Sequence, residues 1–170
     1  MMWRLSHRFD RAALPLADAH YNRQKPGTPQ FVPPGRCVVL LAGEPAHSLW
    51  VTSWPFAEFT RHQWAGAWVC SCFRRTGGGD TASDMIRAAV AATRAVYGEP
   101  PPLGMITFID RAQVRPTMVR GAPVWGWTWL RCGWRVAGES QGGLLCLQLL
   151  PEDMPAAVAP LGMQLRLFVP

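Results

Sequence analysis

Between Arg74 and Arg94 the chain reads RRTGGGDTASDMIRAAVAATR, three consecutive glycines running directly into a helix with a defined start and one apolar face. Glycine lets a backbone curl close to a ligand, and the first turn of a helix leaves N–H groups unpaired at the positive end of its dipole. Asp80, Thr81 or Ser83 can cap this helix, while Ile86, Val90, Thr93 and Tyr97 recur three or four residues apart along one stripe. Such a junction presents donors to a phosphate. The competing reading is a mobile connection before an ordinary amphipathic helix. The run holds no GxxxxGKS or GxxxxGKT and does not keep the spacing of a dinucleotide fingerprint, so neither nucleotide hydrolysis nor NAD binding follows from it.

The segments around this junction set the fold class. Residues 65–73, AGAWVCSCF, read as the strand that feeds the glycines, and GEPPP at 98–102 stops the helix before a buried strand at 103–109 that ends at Asp110. Upstream, residues 36–42 and 48–54 form a meander across a turn at 43–47, and 56–62 is ambiguous. Downstream, 114–124 is a positively charged excursion and 125–132 a short helix closed by Gly133. The last two strands, 134–137 and 144–149, flank a turn at 138–143. A short helix fits within 9–21, followed by the irregular NRQKPGTPQFVPPG, long enough inside a compact domain to be functional. This order predicts an α+β or α/β three-layer domain over 1–150, with a central mixed, mostly antiparallel sheet flanked by helices. A tail at 151–170 ends in the apolar burst LRLFV.

Composition agrees with one domain. Hydrophobic residues are 49% of the 170 against 16% charged, which excludes wholesale disorder, and nine tryptophans imply large aromatic walls. The net charge of +6 rests on arginine, since Lys25 is the only lysine. Guanidinium groups suit bidentate phosphate or carboxylate contacts, although a GC-rich genome produces the same bias. The odd number of cysteines, Cys37, Cys70, Cys72, Cys132 and Cys146, in mostly apolar surroundings points to reduced thiols. Strand alternation would put the CxC pair Cys70 and Cys72 on one face, but no CxxC or HxxxH elsewhere matches it and no metal site is expected. With no signal-peptide core and no apolar run approaching membrane length, the expectation is a soluble, cytoplasmic protein without a membrane partner.

Several residues carry chemistry. His20, Tyr21, Asn22 and Arg23 combine a near-neutral base, a phenol, an amide and a guanidinium, either facing a substrate or capping a loop. Asp110 at a strand end serves as a base or substrate anchor, or makes an Asx turn. Glu58 and His62 would share a face if their segment were helical, as an acid–base pair or an ordinary surface pair. Arg111, Arg115 and Arg120, with Trp125 and Trp127 nearby, could grip a sugar-phosphate backbone and stack an unpaired base, or form a solvated loop beside an aromatic core. His7 and His47 invite no particular role, and Trp50, Trp54, Trp64 and Trp68 read as core or sheet-covering residues.

The pieces AWVCSCFRRTGGGDTASDMIRAAVAATR, GMITFID and WTWLRCGWRVAGESQGGLLCLQL resemble, over residues 37–149, the GNAT superfamily of N-acetyltransferases. HYNRQKPGTPQFVPPG, together with GWR followed by GGLLCLQLLPEDMP, is similar to a group of actinobacterial and phage proteins. Through that group the chain looks like the phage Mom-type enzymes that alter adenine in DNA. The resemblance implies acetyl-CoA or another acyl-CoA, with its pyrophosphate surrounded by Thr76, Gly77, Gly78, Gly79, Asp80 and Thr81 and neutralised by Arg74 and Arg75. It also implies a backbone N–H of a splayed central strand as oxyanion donor and DNA as the acceptor. His20, Tyr21 and Asp110 are then the catalytic candidates, and Asn22, Arg23, Arg111, Arg115, Arg120 and Trp125 the acceptor-facing ones. The chain departs from the family at two points. RRTGGG does not keep the family's loop register. The late tyrosine that reprotonates the coenzyme thiolate is missing from the neighbourhood of Trp127, Trp129 and Leu130, leaving that role to Cys132 or a side chain from elsewhere. The alternative is a non-catalytic nucleic-acid-binding or phage accessory protein of the same fold.

Overall fold

Strand-forming runs of β-branched and aliphatic residues, CVVLLA and SLWVTS, pair across a tight turn as β2 (Cys37–Ala42) and β3 (Ser48–Ser53). The computed structural model describes residues 2–23, 25–32 and 35–164. Ahead of this pair lie β1 (Arg4–Leu5) and helix α1 (Leu14–Asp18). After it come β4 (Trp68–Arg75), helix α2 (Ala82–Tyr97) and β5 (Met105–Ile109). A small hairpin, β6 (Thr117–Val119) and β7 (Ala122–Val124), leads to helix α3 (Trp127–Leu130) and the last strands β8 (Arg135–Glu139) and β9 (Leu145–Leu149).

Seven strands form one sheet in the order β1-β2-β3-β4-β5-β9-β8, and every neighbouring pair is antiparallel except β4 and β5. The fold is therefore mixed α and β around a mostly antiparallel sheet. Helix α2 covers one face through Met85, Ile86, Ala89 and Val90, packed on Trp50 and Trp68. Burying side chains the size of Ile86 and Val90 contributes about 1.5–3 kcal/mol each. Of the three candidate caps Thr81 serves, its hydroxyl accepting the Asp84 N–H at 3.1 Å, and Gly98 ends the helix. On the other face α1 and Val32 close over Leu41 and Leu49, while Trp64 closes over Ile106 and Cys146.

Three local expectations change. The excursion at 114–124 contains the β6/β7 hairpin, whose two-residue turn is Arg120 and Gly121, both at positive φ. Such turns normally announce themselves with asparagine or aspartate before glycine, so an arginine there carries no turn signal. The segment at 56–62 makes a single 3-10 turn, Ala57–Phe59, and leaves it extended at Thr60. Glu58 and His62 consequently share no helix face, and the His62 ring packs against Phe108 at 5.2 Å. Strand β4 begins at Trp68 rather than 65, after the Ala67 N–H turns back to the Trp64 carbonyl, and runs on through Arg74 and Arg75.

The described part of the 151–170 segment is pinned to the domain. Met154 is buried, the Val158 N–H donates to the Ala91 carbonyl, and the Leu161 N–H donates to the Trp3 carbonyl. The LRLFV burst lies outside the described residues. No helix among the described residues is long and apolar enough to cross a membrane.

Candidate functional site

The centre of the sheet is open where β4 and β5 part. They pair in parallel only at Trp68 with Met105, Val69 with Ile106 and Cys70 with Thr107. Beyond that point β4 follows β3 while β5 follows β9. At the point of parting β4 carries a bulge, because Thr52 faces Cys70 and Val51 faces Cys72, leaving Ser71 without a partner in register. The extra residue shifts the phase of the strand. Cys70 and Phe73 pack with the α2-side core, whereas Cys72 packs on the α1 side. The expectation that Cys70 and Cys72 share a face is thus overturned by one inserted residue. Cys70 is buried and Cys72 half-buried, and desolvation raises both thiols, Cys72 to about 12, so neither is a thiolate at neutral pH. Among the described residues no cluster of histidine, cysteine and acid could hold a metal.

Three cavities meet at Ser71. One of about 310 Å³ lies in the wedge between the strands, lined by His20, Phe73, Arg74, Arg115, Trp127 and Trp129 among others. A second, of about 600 Å³, adjoins it with Tyr21, Phe108 and Asp110 in its wall. The third, of about 690 Å³, lies under the irregular N-terminal segment over Leu49, Val51 and Cys72.

The segment after α1 straddles the wedge. The Tyr21 hydroxyl donates to the Phe108 carbonyl of β5 at 3.3 Å, and the Asn22 side-chain amide donates to the Ser71 carbonyl of β4 at 2.7 Å. Separated strands expose backbone acceptors that need partners, and these two side chains supply them. His20 stacks on Tyr21 with ring centroids 4.7 Å apart, and its Nδ1 meets the Asn22 Oδ1. Two contacts converge on that nitrogen, the Asn22 Oδ1, which only accepts, and the Asn22 N–H, which donates to Nδ1 at 3.4 Å; the shorter Oδ1 contact favours the tautomer with the hydrogen on Nδ1 and Nε2 basic. Arg23 turns inward instead, paired with Asp18 at 2.9 Å and donating to the Thr28 carbonyl and hydroxyl, where it organises the loop.

Burial holds the His20 pKa below its ordinary value; the Asn22 hydrogen bond opposes this and the Arg74 charge reinforces it. Neutral His20 is therefore favoured in the folded protein. Its contribution to stability is present above the unfolded value of 6.5 and is lost as pH falls through the lower folded value. NMR titration of the His20 ring should give a pKa below 6.5, rising in Arg74→Gln; a value at or above 6.5 in the native protein would contradict the burial argument. Tyr21 shifts the other way: burial raises its phenol, a hydrogen bond to the Asp110 backbone partly offsets this, and the negative charge of Asp110 adds to it. Asp110 also accepts the Ala112 N–H at 3.0 Å, so it forms the Asx turn while facing the same cavity as Tyr21.

The glycine loop sits at the end of β4. The N–H groups of Gly77, Gly78 and Gly79 donate no hydrogen bond among the described residues. Arg75 folds back to donate to the Gly78 and Asp80 carbonyls at 3.3 and 2.8 Å, clasping the loop, whereas Arg74 lies between the wedge and a cavity beneath α1 lined by Leu16 and Ala19, with its Nε buried and without a partner. The loop rests on His47. The His47 carbonyl accepts both the Thr76 N–H and the Thr76 hydroxyl, and its ring occupies the space a Cβ on Gly78 would need. Nothing in the sequence near His47 signals this, because the contact joins two turns 29 residues apart.

Of the remaining candidates, Arg111 pairs with Glu139, and the Trp125 indole donates to the Val114 carbonyl at 2.9 Å, bracing the base of the β6/β7 hairpin. Arg115 lines the wedge and Arg120 stands at the hairpin tip. Cys132 donates to the Thr128 carbonyl within the core, and burial raises its thiol. No family model, curated protein or solved structure matches this chain, and the wedge between β4 and β5, with the glycine loop at its end, is what defines the candidate site.

Proposed function

We propose that the protein is an N-acyltransferase of GNAT-like architecture that takes an acyl group from acetyl-CoA or another acyl-CoA and delivers it to an amine of DNA. The parting of the single parallel pair beside an uncommitted glycine loop carries the reading. The three glycine N–H groups and the unpartnered Arg74 fit a pyrophosphate. Phe73, Trp127 and Trp129 provide an apolar wall for the thioester arm. The net charge of +6 and the arginines on the rim favour an anionic acceptor.

In this reading the acceptor nitrogen attacks the thioester carbonyl carbon, an N–C bond forms and the C–S bond breaks. His20 Nε2 takes the proton from nitrogen, and the Tyr21 phenol, kept protonated by its raised pKa, gives one to the departing sulfur. Return of the proton from the imidazolium of His20 to the Tyr21 phenolate, through solvent, restores both groups, so the net result is one proton moved from nitrogen to sulfur. Each such group supplies about 10²–10⁴-fold, and a backbone N–H at the β4 bulge stabilising the oxyanion about 10²–10³-fold. Tyr21 thereby fills the role for which the α3 neighbourhood has no tyrosine, a role the inward-facing Cys132 thiol does not reach. Asp110 orients the acceptor.

Titration calorimetry with acetyl-CoA, using desulfo-CoA to test recognition of the nucleotide portion, is the direct test. Saturable binding of both ligands is expected. No heat at millimolar ligand would overturn the acyltransferase reading and favour the non-catalytic DNA-binding alternative, in which Tyr21 and Asn22 act only as a strap across the sheet.

A further inference from the structure

Resting on DNA as the acceptor, we infer that the β6/β7 hairpin is a wedge that enters duplex DNA beside the cleft and unstacks a base step, so that a base can reach the wedge between β4 and β5. Four features of the hairpin and its surroundings converge. It is built to project: Thr117, Met118, Ala122 and Pro123 are exposed, and its base is fastened by the Trp125 to Val114 hydrogen bond. Its apolar residues face solvent as a pair, since Met118, 63% exposed, stands directly across from Pro123 in the ladder. Methionine and proline are side chains that proteins insert between base steps, and a two-stranded ribbon fits a DNA groove.

The tip is held in an unfavourable conformation. Arg120 has φ 50, a left-handed geometry that favours glycine or asparagine. A strained non-glycine residue at an exposed tip points to a role for its side chain, and the Arg120 guanidinium has no partner among the described residues. The surrounding charge is one-sided. From Arg111 to Gly138 the chain carries five arginines and no acidic residue. Arg115 and Thr117 at the root of the hairpin also line the 310 Å³ wedge, so a base displaced at the hairpin lies next to that cavity. A cleft cannot enclose a base that stays stacked in the duplex, so chemistry within the cleft requires the base to be extruded.

The test uses a relaxed plasmid, treated with a type I topoisomerase in the presence of the full-length protein, with affinity for the same DNA measured in parallel. Inserted wedges unwind the duplex, so the native protein should lower the linking number of the recovered plasmid. Met118→Ser should bind within about threefold of the native affinity, because an exposed apolar side chain adds little to phosphate contacts, yet lose most of the linking-number change. Arg120→Ala should reduce the salt dependence of binding by about one counterion. Both positions are exposed, and unchanged thermal melting will confirm that the variants fold. Binding without any change in linking number, or a change retained by Met118→Ser, would overturn the wedge and leave DNA as acceptor standing. Binding to single strands alone would also overturn the wedge. Absence of binding to either form would overturn both the wedge and the DNA reading beneath it.

Discussion

Gly78→Glu is expected to weaken acetyl-CoA binding about 100-fold or more. Two physical effects add. Gly78 lies at φ +94, and a Cβ there would come within 2.7 Å of the His47 ring, so the loop must shift and carry its N–H groups with it. On the proposed acyl-CoA reading, the new carboxylate would also repel the pyrophosphate. Two lost charge-assisted hydrogen bonds at about 1.5–3 kcal/mol each account for a factor of about 100 or more. Gly79→Ala is the control: Gly79 has no positive φ, and a Cβ there meets nothing within 4 Å. It should bind within about threefold of native, a difference of well under 1 kcal/mol. Calorimetry on the two variants separates them. Equal loss in both would mean that the loop tolerates no side chain for reasons other than His47, and no loss in either would remove the loop from the site.

Gly104→Ala is expected to produce the largest loss of stability. Gly104 has φ +67, and its absent Cβ would lie 2.0 Å from the Leu149 carbonyl oxygen, a backbone atom of β9. The same residue accepts the Trp68 N–H through its own carbonyl at 2.9 Å, immediately before Met105 pairs with both Trp68 and Leu149. Left-handed geometry costs an alanine about 1–2 kcal/mol, and displacing a packed strand about 1–3 more. The sum, about 2–5 kcal/mol, is a large part of the stability of an ordinary domain. Urea unfolding followed by tryptophan fluorescence measures it directly, and a change below about 0.5 kcal/mol would mean that β5 and β9 separate freely at this end. A surviving fraction of Gly104→Ala should also bind acetyl-CoA poorly, because the register that ends at Cys70 and Thr107 starts here.

These two glycines show how unevenly the site was legible. GGG in front of an amphipathic run marks the loop and helix α2 plainly, since capping by Thr81 and the apolar stripe through Ile86 and Val90 depend on neighbours within one or two turns. The role of Gly104 depends on a carbonyl 45 residues later and has no local mark. His47 carries no local mark for the same reason, since its contact lies 29 residues away at Thr76. The bulge at Ser71 is a further case: alternation in WVCSCF puts Cys70 and Cys72 on one face, and only pairing with β3 reveals the inserted residue that separates them.

The sequence by itself determined the strand-forming runs, the long helix and its cap, the glycine loop, the mixed sheet with its helices, and the suspicion that His20, Tyr21 and Asn22 matter. Periodicity and capping are short-range, so they survive being read along a line. Tertiary structure alone decided that Asn22 reaches Ser71 across 49 residues and Tyr21 reaches Phe108 across 87, that Arg74 is left with a buried, unpartnered Nε while Arg75 clasps the loop, and that Arg23 is spent on its own segment. Those outcomes follow from where β4 and β5 stop pairing, because backbone groups freed by that separation must find partners from whichever segment the packing brings alongside.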